Sequence, residues 1–291
     1  MLHLDTAQNR RAGIWLVTLT TLCFATLDAS AKWLVQDLPV LQVVWLRFLF
    51  HVLLASALLA PRYGMELVRV RDWKLQALRA LMMGCMTALN FWALQYLQLA
   101  ETGAIQFAVP LLIALLSAWW LGEHLDARRW LAIILGFVGV LLVIRPGSQA
   151  FHPAIFLSVM NAVLYAGFNI LTRRMVATES AASMQLMSAL GATVLLAPWA
   201  LATWQAPAGW LAWAVIAVCG LCGGLGHFMV AQAHRYASAA TLGPFLYQQI
   251  IYMTLWGWLI FGQVPGALVV GGAVVVVLSG LYLLALEMTR K

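Results

Sequence analysis

Charged residues are scarce in this sequence. Asp, Glu, Lys and Arg make up 9% of its 291 residues, against roughly 25% in an average soluble domain. Apolar residues make up 64%. A soluble fold of this length could not cover itself with polar side chains, and the same arithmetic excludes a coiled coil, a disordered chain and a nucleic-acid-binding module. The class that remains is an integral membrane protein.

Cysteine and the common catalytic motifs are also rare or absent. The four cysteines lie inside apolar runs and offer no disulfide framework; Cys219 and Cys222 have redox spacing, but in mid-span they are better interpreted as small packing residues. The sequence has no Gly-x-x-x-x-Gly-Lys-Ser/Thr loop, no His-Glu-x-x-His helix and no Gly-x-Ser-x-Gly elbow. We therefore expect no enzyme activity, no cofactor and no metal ion.

Hydropathy predicts an all-α membrane protein with ten spans. About 20 apolar residues cross roughly 30 Å of hydrocarbon, and the segments of this kind are residues 12–34, 39–60, 76–95, 99–121, 129–145, 153–172, 180–202, 210–232, 239–261 and 265–286. The first segment has an alternative, because Arg10-Arg11 before it and Ala29-Ser30-Ala31 at its end resemble a secretory signal. Its length and the repeat described below favour a span.

The net charge of +7 has two explanations, a nucleic-acid partner or membrane topology. The basic residues lie in short gaps between apolar runs, which favours topology. Apart from Lys32 and Arg145 at the opposite ends, and Arg47 within a span, they share one side with the N-terminus. Both termini are therefore predicted to face the cytoplasm. The expected partners are the lipid bilayer and a small-molecule substrate, with no nucleic acid and no obligate protein partner.

An internal repeat is predicted from two similar stretches. Residues 119–123 read Trp-Trp-Leu-Gly-Glu, and residues 258–263 read Trp-Leu-Ile-Phe-Gly-Gln; each precedes a glycine-containing span. A shift of roughly 140 residues places spans six to ten on spans one to five. The predicted halves are residues 1–147 and 148–291. Because each half crosses the membrane an odd number of times, the halves are inverted, with a site expected between them near the midplane. Chance similarity of apolar stretches is the alternative.

These features resemble the drug/metabolite transporter superfamily, of the ten-helix EamA type. The likeness is carried by the five-plus-five pattern, by Ala108-Val109-Pro110 about a dozen residues before Leu121-Gly122-Glu123, by the glycine-containing span that follows, and by Arg173-Arg174 after the sixth span. Within the superfamily, the stretch from Tyr247-Gln248-Gln249 to Gly262-Gln263 looks closest to the bacterial aromatic amino acid exporters.

The resemblance implies an exporter of small metabolites in the bacterial inner membrane. It implies a central cavity lined by both halves, with the fifth and tenth helices outermost. The sequence departs from the family pattern in two places. Gln263 stands where the family often has a second Glu, and Ile250 stands at the equivalent of Pro110. These departures leave the equivalence of the halves and the identity of the substrate open.

Two charges lie inside the first two spans at similar depth. Asp28 falls roughly 8 Å and Arg47 roughly 12 Å from the outer edge. A salt bridge between them would neutralise both charges in hydrocarbon as a structural tie; the alternative is direct contact with the substrate or gating. An alternative pairs Asp28 with Lys32, one turn further along the same face.

Polar uncharged residues mark further candidate substrate contacts. Asn90 and Gln106 fall at a common depth, and their amides can bond either a substrate or a neighbouring helix. In the sixth span Asn161, Tyr165 and Asn169 form a stripe on one face, which is typical of a wet surface.

The ninth span carries Gln248 and Tyr252 on one face about halfway across. Aromatic rings and amides suit an amphipathic ligand, and tight helix packing is the alternative. His51 and His227 are candidate proton-relay residues; each is otherwise expected to be a lone neutral histidine bonded to a backbone carbonyl. Glu101 and Glu123 are interpreted as interfacial or capping residues, and the glycines of the eighth span as sites of close helix approach.

The sequence as a whole predicts a secondary transporter or facilitator. We expect it to export a small metabolite by alternating access between inverted halves. Amino acids are the first candidates and, in view of the resemblance, aromatic amino acids are among them. The alternative is a multispan membrane enzyme or receptor that acts on a lipid or small amphipathic ligand, with His51 and the Asp28/Arg47 pair as its polar centre.

Overall fold

The computed structural model describes residues 6–121, 126–149, 151–176, 178–237 and 239–288. Within these ranges the chain forms α-helices and one short 3-10 helix. The elements in chain order are α1 (Ala7–Leu34), α2 (Val40–Tyr63), the 3-10 helix (Gly64–Val68), α3 (Trp73–Tyr96), α4 (Leu99–Gln106), α5 (Val109–Leu121), α6 (Ala127–Ile144), α7 (Ile155–Met175), α8 (Ala181–Ala202), α9 (Gly209–Tyr236), α10 (Ala239–Leu246), α11 (Gln249–Phe261) and α12 (Ala267–Met288).

Side-chain caps fix where several helices begin. Thr6 accepts a hydrogen bond from the backbone of Asn9 ahead of α1, and Asp72 accepts from Lys74 and Leu75 ahead of α3. Asp126 and Ser180 cap α6 and α8 in the same way. These short polar side chains satisfy N–H groups that have no partner within the helix. The helix starts therefore follow from local sequence.

The predicted all-α membrane architecture is confirmed. In the described part of the chain, nine helical segments are long and apolar enough to cross a membrane. The segment from α10 to α11 supplies a further crossing in two shorter pieces. The prediction of continuous helices over residues 99–121 and 239–261 was wrong, because each is interrupted near its middle. Pro61, predicted to lie in a gap, lies inside the last turn of α2.

The two halves are inverted five-crossing repeats, α1 to α6 and α7 to α12. Their contacts come in symmetric pairs: α1 packs on α9 as α7 packs on α3, and α2 packs on α9 as α8 packs on α3. The pairs α2 with α8 and α6 with α12 each join equivalent helices. A two-fold axis in the membrane plane produces this pattern.

Glycines set the closest approaches between the halves. A Cβ added at Gly139 of α6 would lie 2.8 Å from the carbonyl oxygen of Gly272 in α12, and the reverse distance is 2.6 Å. On α9, Gly223 packs against Leu27 of α1, and Gly224 packs against α2. The prediction of close helix approach at the glycines of the eighth span is confirmed, since side chains at these positions would separate the helices.

Candidate functional site

The two interrupted helices meet at the centre of the protein. The first interruption, at residues 107–108, separates α4 from α5, and the second, at residues 247–248, separates α10 from α11. Phe107 and Tyr247 occupy these interruptions, and their rings contact at 5.1 Å between centroids. Discontinuous helices in corresponding positions of inverted halves are typical of transporter substrate sites.

Proline explains part of the interruption. Pro110 has no N–H, so the carbonyl of Gln106 lacks its usual helical donor four residues later. In the second half Pro244 lies within α10, less than one turn before its end. Backbone groups released in this way are available to side chains or to a ligand.

Each interruption carries a glutamine that bonds the first helix of the other half. Asn161 on α7 donates from Nδ2 to Oε1 of Gln106 at 3.0 Å. Gln248 donates from Nε2 to Oγ1 of Thr18 on α1, also at 3.0 Å. The two bonds join corresponding pairs of helices under the repeat. The predicted candidates Gln106 and Gln248 therefore both lie at the contact between the halves.

A second polar cluster lies nearer the outer end, by which we mean the end that carries residues 35–39 and 203–208. Asn90 on α3 donates from Nδ2 to Oδ1 of Asp28 on α1 at 2.9 Å. Both side chains are partly exposed. The common depth predicted for Asn90 was with Gln106, but Gln106 bonds Asn161 instead.

The predicted salt bridge between Asp28 and Arg47 does not form. No oxygen of Asp28 lies within 4 Å of a nitrogen of Arg47, although the two groups interact electrostatically. Lys32, the alternative partner, donates instead to the carbonyls of Leu94 and Leu97 at 2.7 Å each. The depths of the two charges matched, but the rotation of their helices directs them to different neighbours.

Arg47 is buried without a full set of partners. Its guanidinium lies over the ring of Phe48, with Cζ 4.3 Å from the ring centroid. Its Nε and Nη1 atoms have no hydrogen-bond partner. An arginine in this condition is rare in a protein interior, because every donor lost from water normally finds an acceptor.

The two candidate histidines form one pair. His51 on α2 and His227 on α9 stack at 5.7 Å between ring centroids, and the Nε2 atom of His51 lies 3.3 Å from Nε2 of Gln185 on α8. His227 also meets Phe24 edge to face. The expectation of lone histidines bonded to backbone carbonyls was wrong, because the pair joins helices that are distant in sequence.

The inner part of the interior holds a third polar set around Arg79. Its guanidinium donates to Ser188 Oγ, to the carbonyl of Met184 at 2.7 Å and to Thr172 Oγ1 at 3.1 Å. It also lies over Phe168, with 4.4 Å from Cζ to the ring centroid. From the sequence, Arg79 was counted among the basic residues on the cytoplasmic side. Its position a few residues inside the third predicted span was the signal that it lies in the interior.

Two of the remaining candidates lie beside this set. Tyr165 is partly buried against both main apolar clusters and stacks on Phe168, while Asn169 donates to the carbonyl of Tyr165 at 2.7 Å. Tyr252 lies on the outer side of the second interruption, packs against an apolar cluster that contains residues of both halves, and is not joined to Gln248 by a side-chain hydrogen bond in the described residues. Asn161, Tyr165 and Asn169 do share one face of α7, but the amide of Asn161 already bonds Gln106 in the other half.

Two symmetric ties join α2 and α8 to the opposite half. At the outer end, Gln42 donates to the carbonyl of Gln205 at 2.6 Å and accepts from its N–H at 2.8 Å. At the inner end, which carries residues 64–72 and 178–180, Ser183 donates to the carbonyl of Arg69 at 2.9 Å. Glu179 adds hydrogen bonds from the N–H groups of residues 71 and 72, at 2.7 and 3.0 Å.

Glu101 confirms its predicted capping role and adds an ion pair. Its Oε2 accepts from the N–H of Gln98 at 3.0 Å, and its Oε1 lies 2.8 Å from Nη2 of Arg145 at the end of α6. Glu123 and the Gly122-Glu123 motif lie outside the described residues.

A crevice of about 950 Å³ separates α11 from α12. Its lining is largely apolar, and its polar members include Tyr247, Gln248, Thr254 and Gln263. It therefore extends from the second interruption along the apolar surface of the second half. The candidate residues of the first half do not line it.

Comparison with known proteins agrees with this architecture. The sequence model of the EamA-like transporter family matches residues 11–145 and again residues 152–286. An S-adenosylmethionine uptake transporter of Rickettsia felis is 25% identical, over 99% of this chain and 98% of its own length. A riboflavin transporter of Vibrio cholerae is 26% identical over 97% and 95%. A pseudopaline exporter of Pseudomonas aeruginosa is 25% identical over 97% and 98%.

A solved crystal structure shares the fold. It superimposes with a TM-score of 0.65 at 18% identity and covers 98% of both chains.

The three relatives named above transport different compounds according to their names, and none of the three is named as an aromatic amino acid exporter. The narrower resemblance therefore stays a prediction.

Proposed function

Because this chain belongs to the EamA-like transporter family, we propose that it is a secondary transporter that moves a small zwitterionic or amphipathic metabolite between its inverted halves. Amino acids and their derivatives are the first candidate substrates. The chain is a membrane transporter of small metabolites, and its relatives are named as transporters. An enzyme or receptor is accordingly not favoured.

The observation that carries the proposal is the meeting of the two interrupted helices. Gln106 and Gln248 stand at the interruptions, and each is bonded to the first helix of the opposite half. A substrate that accepts or donates hydrogen bonds can replace these contacts, which couples its binding to separation of the halves. Aromatic rings beside the glutamines give an amphipathic ligand apolar surface.

The two ties at the ends supply the gates that alternating access requires. The outer tie involves Gln42 and the inner tie involves Ser183, and both join α2 or α8 to a loop of the other half. We propose that they open in alternation, and that Asp28, Asn90 and Arg47 lie on the route between the outer gate and the interruptions. Tyr252 lies on the outer side of the second interruption, and Tyr165 and Asn169 line the inner part of the route. His51 and His227 are proposed as the proton-relay pair.

The direction of transport is proposed to be export, with both termini in the cytoplasm of the bacterial inner membrane. The named relatives include uptake transporters and an exporter, so direction has to be measured. A carrier that only follows gradients runs in both directions.

Flux in proteoliposomes tests the function. Purified protein is reconstituted, and uptake of labelled amino acids, S-adenosylmethionine and riboflavin is measured by counterflow in both orientations. We expect Gln248→Ala and Tyr252→Ala to reduce flux at least 10-fold if they contact substrate. The matched control is Gln249→Ala, because Gln249 donates only to Met253 within its own helix. Equal behaviour of all three variants would remove this site assignment.

A further inference from the structure

Arg47 is a buried cation without an acceptor for part of its guanidinium. Only 5% of the residue is exposed, and its Nε and Nη1 atoms have no hydrogen-bond partner. Phe48 covers one face of the group. In the apolar interior of a membrane protein an unpaired charge is strongly unfavourable. The most direct explanation is that a ligand supplies the missing acceptor.

The surroundings of Arg47 do not supply that acceptor from the protein. A Cβ at Gly223 of α9 would lie 3.2 Å from both Nε and Nη2, so α9 presents glycine where a side chain could have paired with the charge. His51, His227 and Cys219 also interact electrostatically with Arg47. In their neutral forms, none of these side chains supplies the negative charge that would pair with the guanidinium.

The acidic neighbour is Asp28, and it is held apart from Arg47. Its Oδ1 accepts from Asn90 at 2.9 Å, and no ion pair within 4 Å joins the two side chains. Asp28 is partly exposed and so faces space that a small group can enter. The carboxylate of Asp28 and the guanidinium of Arg47 lie near each other without contact. They match the two charged ends of an α-amino acid, because the carboxylate can bind its ammonium group and the guanidinium can bind its carboxylate.

We infer that Arg47 and Asp28 form a subsite for the α-amino-acid group of the substrate. Its carboxylate accepts hydrogen bonds from the guanidinium of Arg47, and its ammonium group binds the carboxylate of Asp28 beside Asn90. Charge-assisted bonds of this kind are short and strong, and the two together fix the orientation of the ligand. This inference rests on the proposed function and names its substrate class.

Ligand pairs that differ in one group test the subsite. The pairs that lack the carboxylate are L-phenylalanine with phenethylamine, L-methionine with 3-(methylthio)propylamine, and S-adenosylmethionine with its decarboxylated form. N-acetyl-L-phenylalanine and N-acetyl-L-methionine lack the ammonium group. Inhibition of counterflow by each compound gives its apparent affinity. For the wild type we expect each loss to weaken binding about 100-fold, because a buried charge is left unpaired.

Variants then assign each end of the ligand. We expect Arg47→Gln to bind an amino acid and its decarboxylated partner equally, while it still rejects the N-acetyl compound. We expect the opposite selectivity for Asp28→Asn. A merely structural role for either residue would weaken all ligands together and leave the ratios unchanged. The control variant is Lys32→Met, which removes a neighbouring cation that is already bonded to Leu94 and Leu97.

The outcomes separate this inference from the proposed function. Transport of riboflavin by a wild type that gives no response to any amino acid overturns the subsite and leaves the transporter in place. Equal affinity of the wild type for both members of the carboxylate pairs also overturns it, even where the variants fail to fold. Failure to move every compound, riboflavin included, overturns the proposed function itself.

Discussion

The ring of Phe107 in the first half lies 5.1 Å from the ring of Tyr247 in the second half, with 38° between the ring planes. Each ring belongs to the interruption of a membrane-crossing helix, so the two interruptions are joined by this ring contact. If the halves rock against each other as proposed, we expect this contact to change. It is therefore a sensitive point at which to measure coupling between the halves.

A double-mutant cycle measures that coupling. We expect Phe107→Ala and Tyr247→Ala to interact by about 1 kcal/mol in thermal unfolding free energy, because offset or tilted aromatic pairs contribute about that much beyond their burial. The comparison pair is Phe107 with Tyr252, which share no ring contact among the described aromatic pairs. Additive effects in the first cycle would show that the rings meet without mutual stabilisation.

The outer tie is expected to bias the conformational equilibrium. Gln42→Ala removes two hydrogen bonds to the backbone of Gln205, each worth about 1 kcal/mol, so we expect the outward-open population to rise about 30-fold. A cysteine is introduced at position 90 in a background free of native cysteines. The extent to which a membrane-impermeant reagent labels it reports the outward-open population.

Two further variants complete the test of the outer tie. Gln205→Ala leaves both bonds intact because only its backbone takes part, so its labelling should equal that of the parent. Ser183→Ala weakens the inner tie, which should lower labelling. Labelling that rises in both Gln42→Ala and Ser183→Ala would contradict alternation of the two gates.

Two adjacent glycines of α12 are expected to respond very differently to the same substitution. A Cβ at Gly272 would lie 2.6 Å from the carbonyl oxygen of Gly139, whereas a Cβ at Gly271 meets no atom of the described residues within 4 Å. We expect Gly272→Val to lower the unfolding free energy by about 1–3 kcal/mol and Gly271→Val to change it by less than about 0.5 kcal/mol. Thermal unfolding in detergent, with both variants at the same lipid content, provides the comparison.

The stacked histidines are expected to carry any proton coupling. His51 and His227 contact each other, and Arg47 and Arg79 are their charged neighbours on α2 and α3. His227→Phe keeps a ring against Phe24 but removes the proton-binding group. We expect it to retain counterflow and to lose acceleration of flux by an imposed pH gradient. The same acceleration in this variant and in wild type would exclude the pair from coupling.

Hydropathy, together with the odd number of crossings in each half, was sufficient to predict the architecture. Ten apolar segments and an odd number per half dictate inverted repeats, whatever the side chains do. The interruptions at Phe107 and Tyr247 were missed because hydropathy runs unbroken through both segments. Pro110 and Pro244 were the available signals, since each removes a helical hydrogen bond close to the observed interruption.

The candidate residues were predicted less completely than the fold. Depth along a helix paired Asp28 with Arg47 and Asn90 with Gln106, but depth contains no information on rotation. The structure instead joins Asn90 to Asp28 and Gln106 to Asn161. The histidine pair depends on the packing of α2 against α9, and those helices are too far apart in sequence for any local pattern to relate them. Arg79 was missed because its closeness to a span boundary resembled an ordinary cytoplasmic charge.

The contact of Gly139 with Gly272 has a mechanical consequence. Backbone atoms that touch directly cannot be compressed as flexible side chains can, so we expect α6 and α12 to act as a nearly rigid pivot if the halves rock as proposed. In that motion a small rotation at the pivot would produce larger displacements at the distant ends of α2 and α8. Replacing either glycine should therefore slow the transport cycle more than it weakens the binding of substrate.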